Sequence, residues 1–277
     1  MLRELLVHIP SERPVPPLVD AAVSLAMTHT AHLDAVSIGF EVTNVDSAPD
    51  GGAALATMIE IEQERAMARA NAALAAFETE ARNAGISYGL RPLIGAPAET
   101  AAIVSALARL HDLTIVLQPE SGQDTSDNTI PQEVLFQSGG PVLLIPYTHK
   151  GPFEPKHIGI AWDGSRLAAR ALRDAAPFLA RVHAITIITV NAAEIPAETS
   201  AATLVAHLAR RGFTARIESM NADRADIQPT ILSVAADADI DLMVMGGYGH
   251  LRLQERILGG VTRGMLQSMT VPTLMSH

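Results

Sequence analysis

The chain contains its own segment order twice, and this repeat limits the folds open to it more than any other feature. The stretch Asp20-Ala21-Ala22-Val23-Ser24-Leu25-Ala26 returns 154 residues later as Asp174-Ala175-Ala176-Pro177-Phe178-Leu179-Ala180. Each copy follows a short apolar run, Leu5-Leu6-Val7-His8-Ile9 in the first and Ile158-Gly159-Ile160-Ala161-Trp162 in the second. Further along, Asp112-Leu113-Thr114-Ile115-Val116-Leu117 matches Asp241-Leu242-Met243-Val244-Met245, and Pro141-Val142-Leu143-Leu144-Ile145 matches Val271-Pro272-Thr273-Leu274-Met275. The same landmarks in the same order predict two like domains. Gly151, Pro152 and Pro155 interrupt both periodicities near the middle, so the boundary is placed at residue 151, giving domains 1–150 and 151–277.

The copies differ in their middles. Asp20 and Asp112 are 92 positions apart but Asp174 and Asp241 only 67, an excess of 25 in the first copy. A long Ala-, Glu-, Arg- and Met-rich helix pattern over residues 55–84, preceded by a loop at 47–52, accounts for it. The second copy reads as strand 157–162, helix 166–180, strand 184–190, helix 198–211, strand 213–219, helix 226–238, strand 241–246, helix 260–268 and strand 271–275. Most of these strands are continuous apolar runs, which suits a parallel sheet covered on both faces by crossover helices. The expected fold class is therefore α/β: two tandem doubly wound, Rossmann-like domains. In such sheets ligands bind beyond the carboxyl ends of the strands, so the turns after the first and fourth strands are where chemistry should lie.

Composition narrows the function classes. Thirty acidic against twenty basic residues give a net charge of −10, which works against nucleic acid as a partner. The absence of cysteine excludes disulfide frameworks, thiolate metal sites and cysteine nucleophiles. No run approaches the roughly 18 apolar residues of a membrane helix. The opening residues carry Glu4 and reach Pro10 before any long apolar run, a poor secretory signal. These features predict a cytoplasmic protein without membrane contact.

The most informative stretch is Gly246-Gly247-Tyr248-Gly249, then nine residues, then Gly259-Gly260-Val261-Thr262 entering a helix. Glycines let backbone N–H groups approach an anion, and a helix start adds oriented donors, so the segment is suited to phosphate. Arg252, Arg256 and Arg263 lie nearby in sequence. The lysine of a Walker loop is absent and the spacing is not that of the dinucleotide fingerprint. Turns and a helix start alone would also explain these glycines.

With Gly246, Gly249 and Gly259 on its glycines, the segment resembles the G-x2-G-x9-G-(S/T) nucleotide motif of universal stress proteins. Ile160-Ala161-Trp162-Asp163-Gly164-Ser165 is similar to that family's first strand with its terminal aspartate, and Val271-Pro272-Thr273-Leu274 to its last. Through the repeat the likeness covers nearly the whole chain. It implies a tandem member with an adenine nucleotide alpha hydrolase-like fold, binding ATP, with or without magnesium, in the second domain. Asp163 would lie beside adenine and ribose, the backbone around Val190 near the base, and Gly246, Gly249, Gly259, Gly260, Val261 and Thr262 along the phosphates. Gly260 stands where the family has Ser or Thr, and Thr262 is the nearest replacement hydroxyl. Read from the residues alone, Asp163-Gly164-Ser165 is also a helix-cap signature. Family members pair through their last strands, which here implies an intrachain pseudo-dimer and leaves room for a homodimer of whole chains, with the helix at 55–84 as a candidate surface.

The first copy lacks these features: Ile9 and Pro10 occupy the positions of Asp163 and Gly164, and Pro119, Glu120 and Asp124 follow its fourth strand. No triphosphate site is expected there; a vestigial pocket could take something apolar, but nothing in the sequence specifies a ligand for it. The ten histidines show no metal-ligand spacing, so no metal site is expected. Neither a general base nor a metal constellation is recognisable, so the chain is read as a stress-response binding or sensor module with at most slow ATPase turnover. The alternative is a tandem interaction scaffold that does not bind nucleotide.

Overall fold

The computed structural model describes residues 1–41, 52–120, 122–247 and 260–277. Strand β1 (Glu4–Ile9) is buried at every position but its first, and β4 (Leu113–Leu117) at every position. Runs with no polar alternation can satisfy both faces only inside a covered parallel sheet, and that is where they lie. Between them come α1 (Pro16–His29), β2 (His32–Phe40), α2 (Gly52–Asn83), β3 (Tyr88–Gly95) and α3 (Pro97–Ala108). A 3-10 turn (Ser126–Thr129), α4 (Ile130–Gln137) and β5 (Val142–Ile145) complete the first half.

The second half repeats the order with β6 (His157–Ala161), α5 (Arg166–Asp174), α6 (Ala176–Leu179), β7 (Ala184–Val190), α7 (Ala201–Arg210), β8 (Ala215–Met220), α8 (Ile227–Asp237), β9 (Leu242–Gly246), α9 (Gly260–Ser268) and β10 (Thr273–Ser276). The helix expected over 166–180 divides at Ala175, because Pro177 in the first turn of α6 cannot donate the hydrogen bond that would continue α5. The length difference between the halves falls where the sequence placed it: α2 has 32 residues and its counterpart α7 has 10. Ala66, Ala70, Leu74, Phe77 and Ala81 give α2 one buried stripe at helical spacing. Gly39 permits that helix to lie on β2, since a Cβ there would meet Ala66 O at 1.9 Å. The loop expected at 47–52 lies outside the described residues up to Gly52, where α2 begins.

The ten strands of the described residues form one sheet in the order β3-β2-β1-β4-β5-β10-β9-β6-β7-β8. Each half contributes five neighbouring parallel strands, and the halves meet through the antiparallel pair β5 and β10, in register Thr273 with Leu144, Leu274 with Leu143 and Met275 with Val142. The last strands thus pair within one chain, as the repeat and the family resemblance imply. An apolar cluster covers each face of the sheet, and each cluster draws residues from both halves. No helix among the described residues is long and apolar enough to cross a membrane.

Candidate functional site

The turn after β6 carries the best-defined part of the site. Gly164 has φ +72°, a conformation that turns the chain sharply between strand and helix. Ser165, not Asp163, caps α5: its hydroxyl accepts from Ala168 N at 3.1 Å. Asp163 is exposed, and its Oδ1 accepts from Ser165 N at 2.9 Å. Its carboxylate is therefore oriented by the turn while Oδ2 has no partner among the described residues. A short covering segment lies over this turn. Trp162 Nε1 donates to Thr199 O at 2.7 Å, and a Cβ on Gly164 would come within 2.6 Å of Thr199 Oγ1.

Val190 ends β7 opposite Met220, and Asn191, at φ 59°, exchanges two side-chain hydrogen bonds of 3.0 Å with the backbone of Ala222. Val190, Ala161, Ile227 and Val261 are all partly buried against the same apolar cluster. Val190 and Val261, both expected at the site from sequence, thus lie on the face of the sheet covered by α8 and α9.

Of the glycine segment, residues 248–259 lie outside the described residues, and with them Gly249 and Gly259 and the arginines Arg252 and Arg256. Gly246 ends β9, and a Cβ there would lie 2.7 Å from Ala168 N and from Leu167 C. Its lack of a side chain lets the first turn of α5 press against the strand. Gly247 N donates to Ser276 O at 2.8 Å, so this N–H is committed to the sheet end. Gly260, Val261 and Thr262 form the first turn of α9. Thr262 is 4% exposed, which points its hydroxyl into the protein rather than to solvent.

The equivalent place in the first half is filled by polar side chains. Arg13 is nearly buried: its guanidinium donates to Gln118 O at 2.9 Å and to Asn128 Oδ1 at 3.1 Å, and pairs with Glu120 Oε2 at 3.3 Å. His8 Nε2 and Asp127 Oδ1 face one another at 3.5 Å, with side chains 2% and 1% exposed. Burial pushes Asp127 up to about 7, with the Glu12 carboxylate adding to the rise and the Glu12 N–H opposing it. Burial and then the charge of Arg13 push His8 down to about 3. Sequence reading passed over this cluster. The available signal was His8 inside an otherwise apolar strand; its partner lies 119 positions away and leaves no local trace. No group of three or more metal-ligating side chains occurs among the described residues.

This architecture defines a tandem α/β protein of the doubly wound class, with its candidate ligand face at the carboxyl ends of β6, β7 and β9. Residues 154–277 match the model of the Universal stress protein family, and this half of the chain is a universal stress protein domain. The whole chain is similar in fold to a universal stress protein from Archaeoglobus fulgidus DSM 4304, at 15% identity and a TM-score of 0.71, covering 98% of this chain and 95% of that one. It is also similar to a functionally unknown protein from Pseudomonas aeruginosa PAO1, at 17% identity and a TM-score of 0.61, covering 99% and 92%. No curated protein matches the chain at a significant level.

Proposed function

We propose that the second half, taken as residues 151–277, holds one adenine nucleotide, ATP, and that the chain acts in the cytoplasm as a regulatory or sensor module of a stress response. One observation carries this reading: Asp163 presents a solvent-facing carboxylate whose orientation is fixed by Ser165 N–H, at the strand end where such sheets take ligands. A carboxylate held that way can accept from an exocyclic amine or a ribose hydroxyl. Val190, partly buried at the end of β7, supplies an apolar surface for the base. The glycine motif that resembles the family's phosphate segment supports the triphosphate, with backbone N–H groups at the start of α9 as donors. The first half, residues 1–150, takes no nucleotide in this reading, because Arg13 and its partners already fill the corresponding strand ends.

Hydrolysis is slow in this reading, since a phosphate cradle stabilises ground-state charge and no described side chain is placed to activate water. A second reading, a scaffold without nucleotide, is favoured by Gly260 in place of a hydroxyl residue and by the Gly247 N–H committed to Ser276. Calorimetric titration of the nucleotide-free protein with ATP decides between them. One site per chain, weakened by Asp163→Asn without loss of melting temperature, supports the nucleotide reading. No detectable heat with a folded protein supports the scaffold.

A further inference from the structure

Buried in the first half, the cluster at the carboxyl ends of β1 and β4 has no part in the nucleotide reading. Among the buried side-chain atoms without a hydrogen-bond partner, His8 Nε2, Asp127 Oδ1, Arg13 Nε and both polar atoms of Gln118 fall on this one region. His8 and Gln118 project to the same face of the sheet by strand alternation, toward α3 and α4. Asp127 is the second residue of the 3-10 turn that leads without interruption into α4. Its Oδ2 accepts from Glu12 N at 3.0 Å, while Glu12 Oε2 accepts from Thr125 Oγ1 at 2.6 Å and from Ser126 N at 3.3 Å. The turn after β1 and the start of α4 are thus tied together at both ends of two carboxylates.

The other end of α4 touches the opposite half. The Phe136 ring meets the His277 ring edge-on, with centroids 4.9 Å apart, and His277 Nδ1 lies 3.1 Å from Gly247 O. A Cβ at Gly247 would come within 3.1 Å of Leu135 Cδ2. One short helix therefore spans from the buried His8 and Asp127 pair to the end of β9 in the second half.

We propose that His8 and Asp127 form an internal proton-binding clamp whose occupancy sets the position of α4 and, through Leu135 and Phe136, of Gly246 and Gly247 in the other half. With one proton shared, the pair is neutral as a whole. Without it, the interior holds a net negative charge against the Glu12 carboxylate, balanced only by Arg13, which is already engaged with Glu120. The buried residues of α3 include Thr100, Val104 and Ser105 and those of α4 Ile130, Pro131 and Val134, none of them titratable; Glu99 and Glu133 are exposed. The raised affinity of Asp127 for its proton, with a midpoint of about 7, places the change near neutrality. The inference does not depend on nucleotide binding.

Amide chemical shifts of the full chain, followed by NMR from pH 5.5 to 8.5, test it. Leu135 and Gly247 should titrate together with the His8 ring at a common midpoint near 7. Asp127→Asn keeps the shape but removes the exchangeable proton, so that titration should vanish while the protein stays folded. His277→Gln removes the imidazole beside Gly247, and the titration should persist. Should Asp127→Asn fail to fold, His8→Gln serves instead and should displace the midpoint at Leu135 and Gly247. The clamp is refuted if those amides do not titrate, if Asp127→Asn or His8→Gln leaves their midpoint unchanged, or if His277→Gln abolishes it.

Discussion

Leu143 of β5 and Leu274 of β10 lie opposite one another in the antiparallel pair that joins the two halves into one sheet. Both are fully buried. The seam is isologous in kind, equivalent strands pairing antiparallel about a pseudo-two-fold, but a single chain supplies both sides and so holds them at high effective concentration.

Truncation at this seam should be felt by both halves. Leu274→Ala is expected to cost about 2–5 kcal/mol, the range for opening a buried cavity. Unfolding by urea should remain one transition, observed equally by Trp162 fluorescence in the second half and by far-ultraviolet circular dichroism. Two separated transitions in the unmodified chain would show that the seam does not couple the halves.

Ser165→Ala should lower stability by about 0.5–2 kcal/mol through loss of the α5 cap. Asp163→Asn should leave stability nearly unchanged, because the amide oxygen can still accept from Ser165 N. Thermal melts of the two variants, measured side by side, separate the capping role from any ligand role.

Gly246→Ala places a methyl 2.7 Å from backbone atoms of Leu167 and Ala168, which cannot swing aside. Overpacking of this kind costs about 1–3 kcal/mol. Gly247→Ala meets only the flexible end of Leu135 and should cost less. Equal losses in denaturant midpoints would contradict the close packing of α5 on β9. For the same reason, weakened nucleotide binding by Gly246→Ala would not by itself identify a phosphate contact.

Stability should carry the sign of both buried titrations. Asp127, raised from 3.8 to about 7, contributes stability that is full below 3.8 and lost as pH rises through 7. His8, lowered from 6.5 to about 3, contributes stability that is full above 6.5 and lost as pH falls through 3. Between 3.8 and 6.5 the folded and unfolded pair each hold one proton, so the two slopes cancel and the pair leaves stability flat. Asp127→Asn removes one slope and should expose the other: relative to the unmodified chain, stability then rises from pH 3.8 to about 7 by about 1.4 kcal/mol per pH unit. An unchanged pH profile of urea stability in that variant would show that the two groups do not titrate as described.

Much of this architecture was legible from the chain alone, because it rests on local and periodic signals. Uninterrupted apolar runs specify covered parallel strands, a repeated segment order specifies two like units, and the extra length between Asp20 and Asp112 located the insertion that became α2. The turn at Asp163-Gly164-Ser165 was visible as a turn, but which residue caps α5 was not, since Asp and Ser are both good caps and the choice follows from the left-handed Gly164 between them. Other features depended on where distant segments come to rest. Gly246 is a glycine because α5 crosses it, a contact that the spacing of the glycine motif does not encode. His8 gains Asp127 only when the 3-10 turn folds over β1, and a polar cluster assembled from residues 8, 13, 118 and 127 has no period to reveal it. Sequence determined which faces had to be buried, since that follows from the order of apolar and polar residues along each element. Only the tertiary structure decided which polar groups would be enclosed together, since burial and pairing are properties of three-dimensional neighbours.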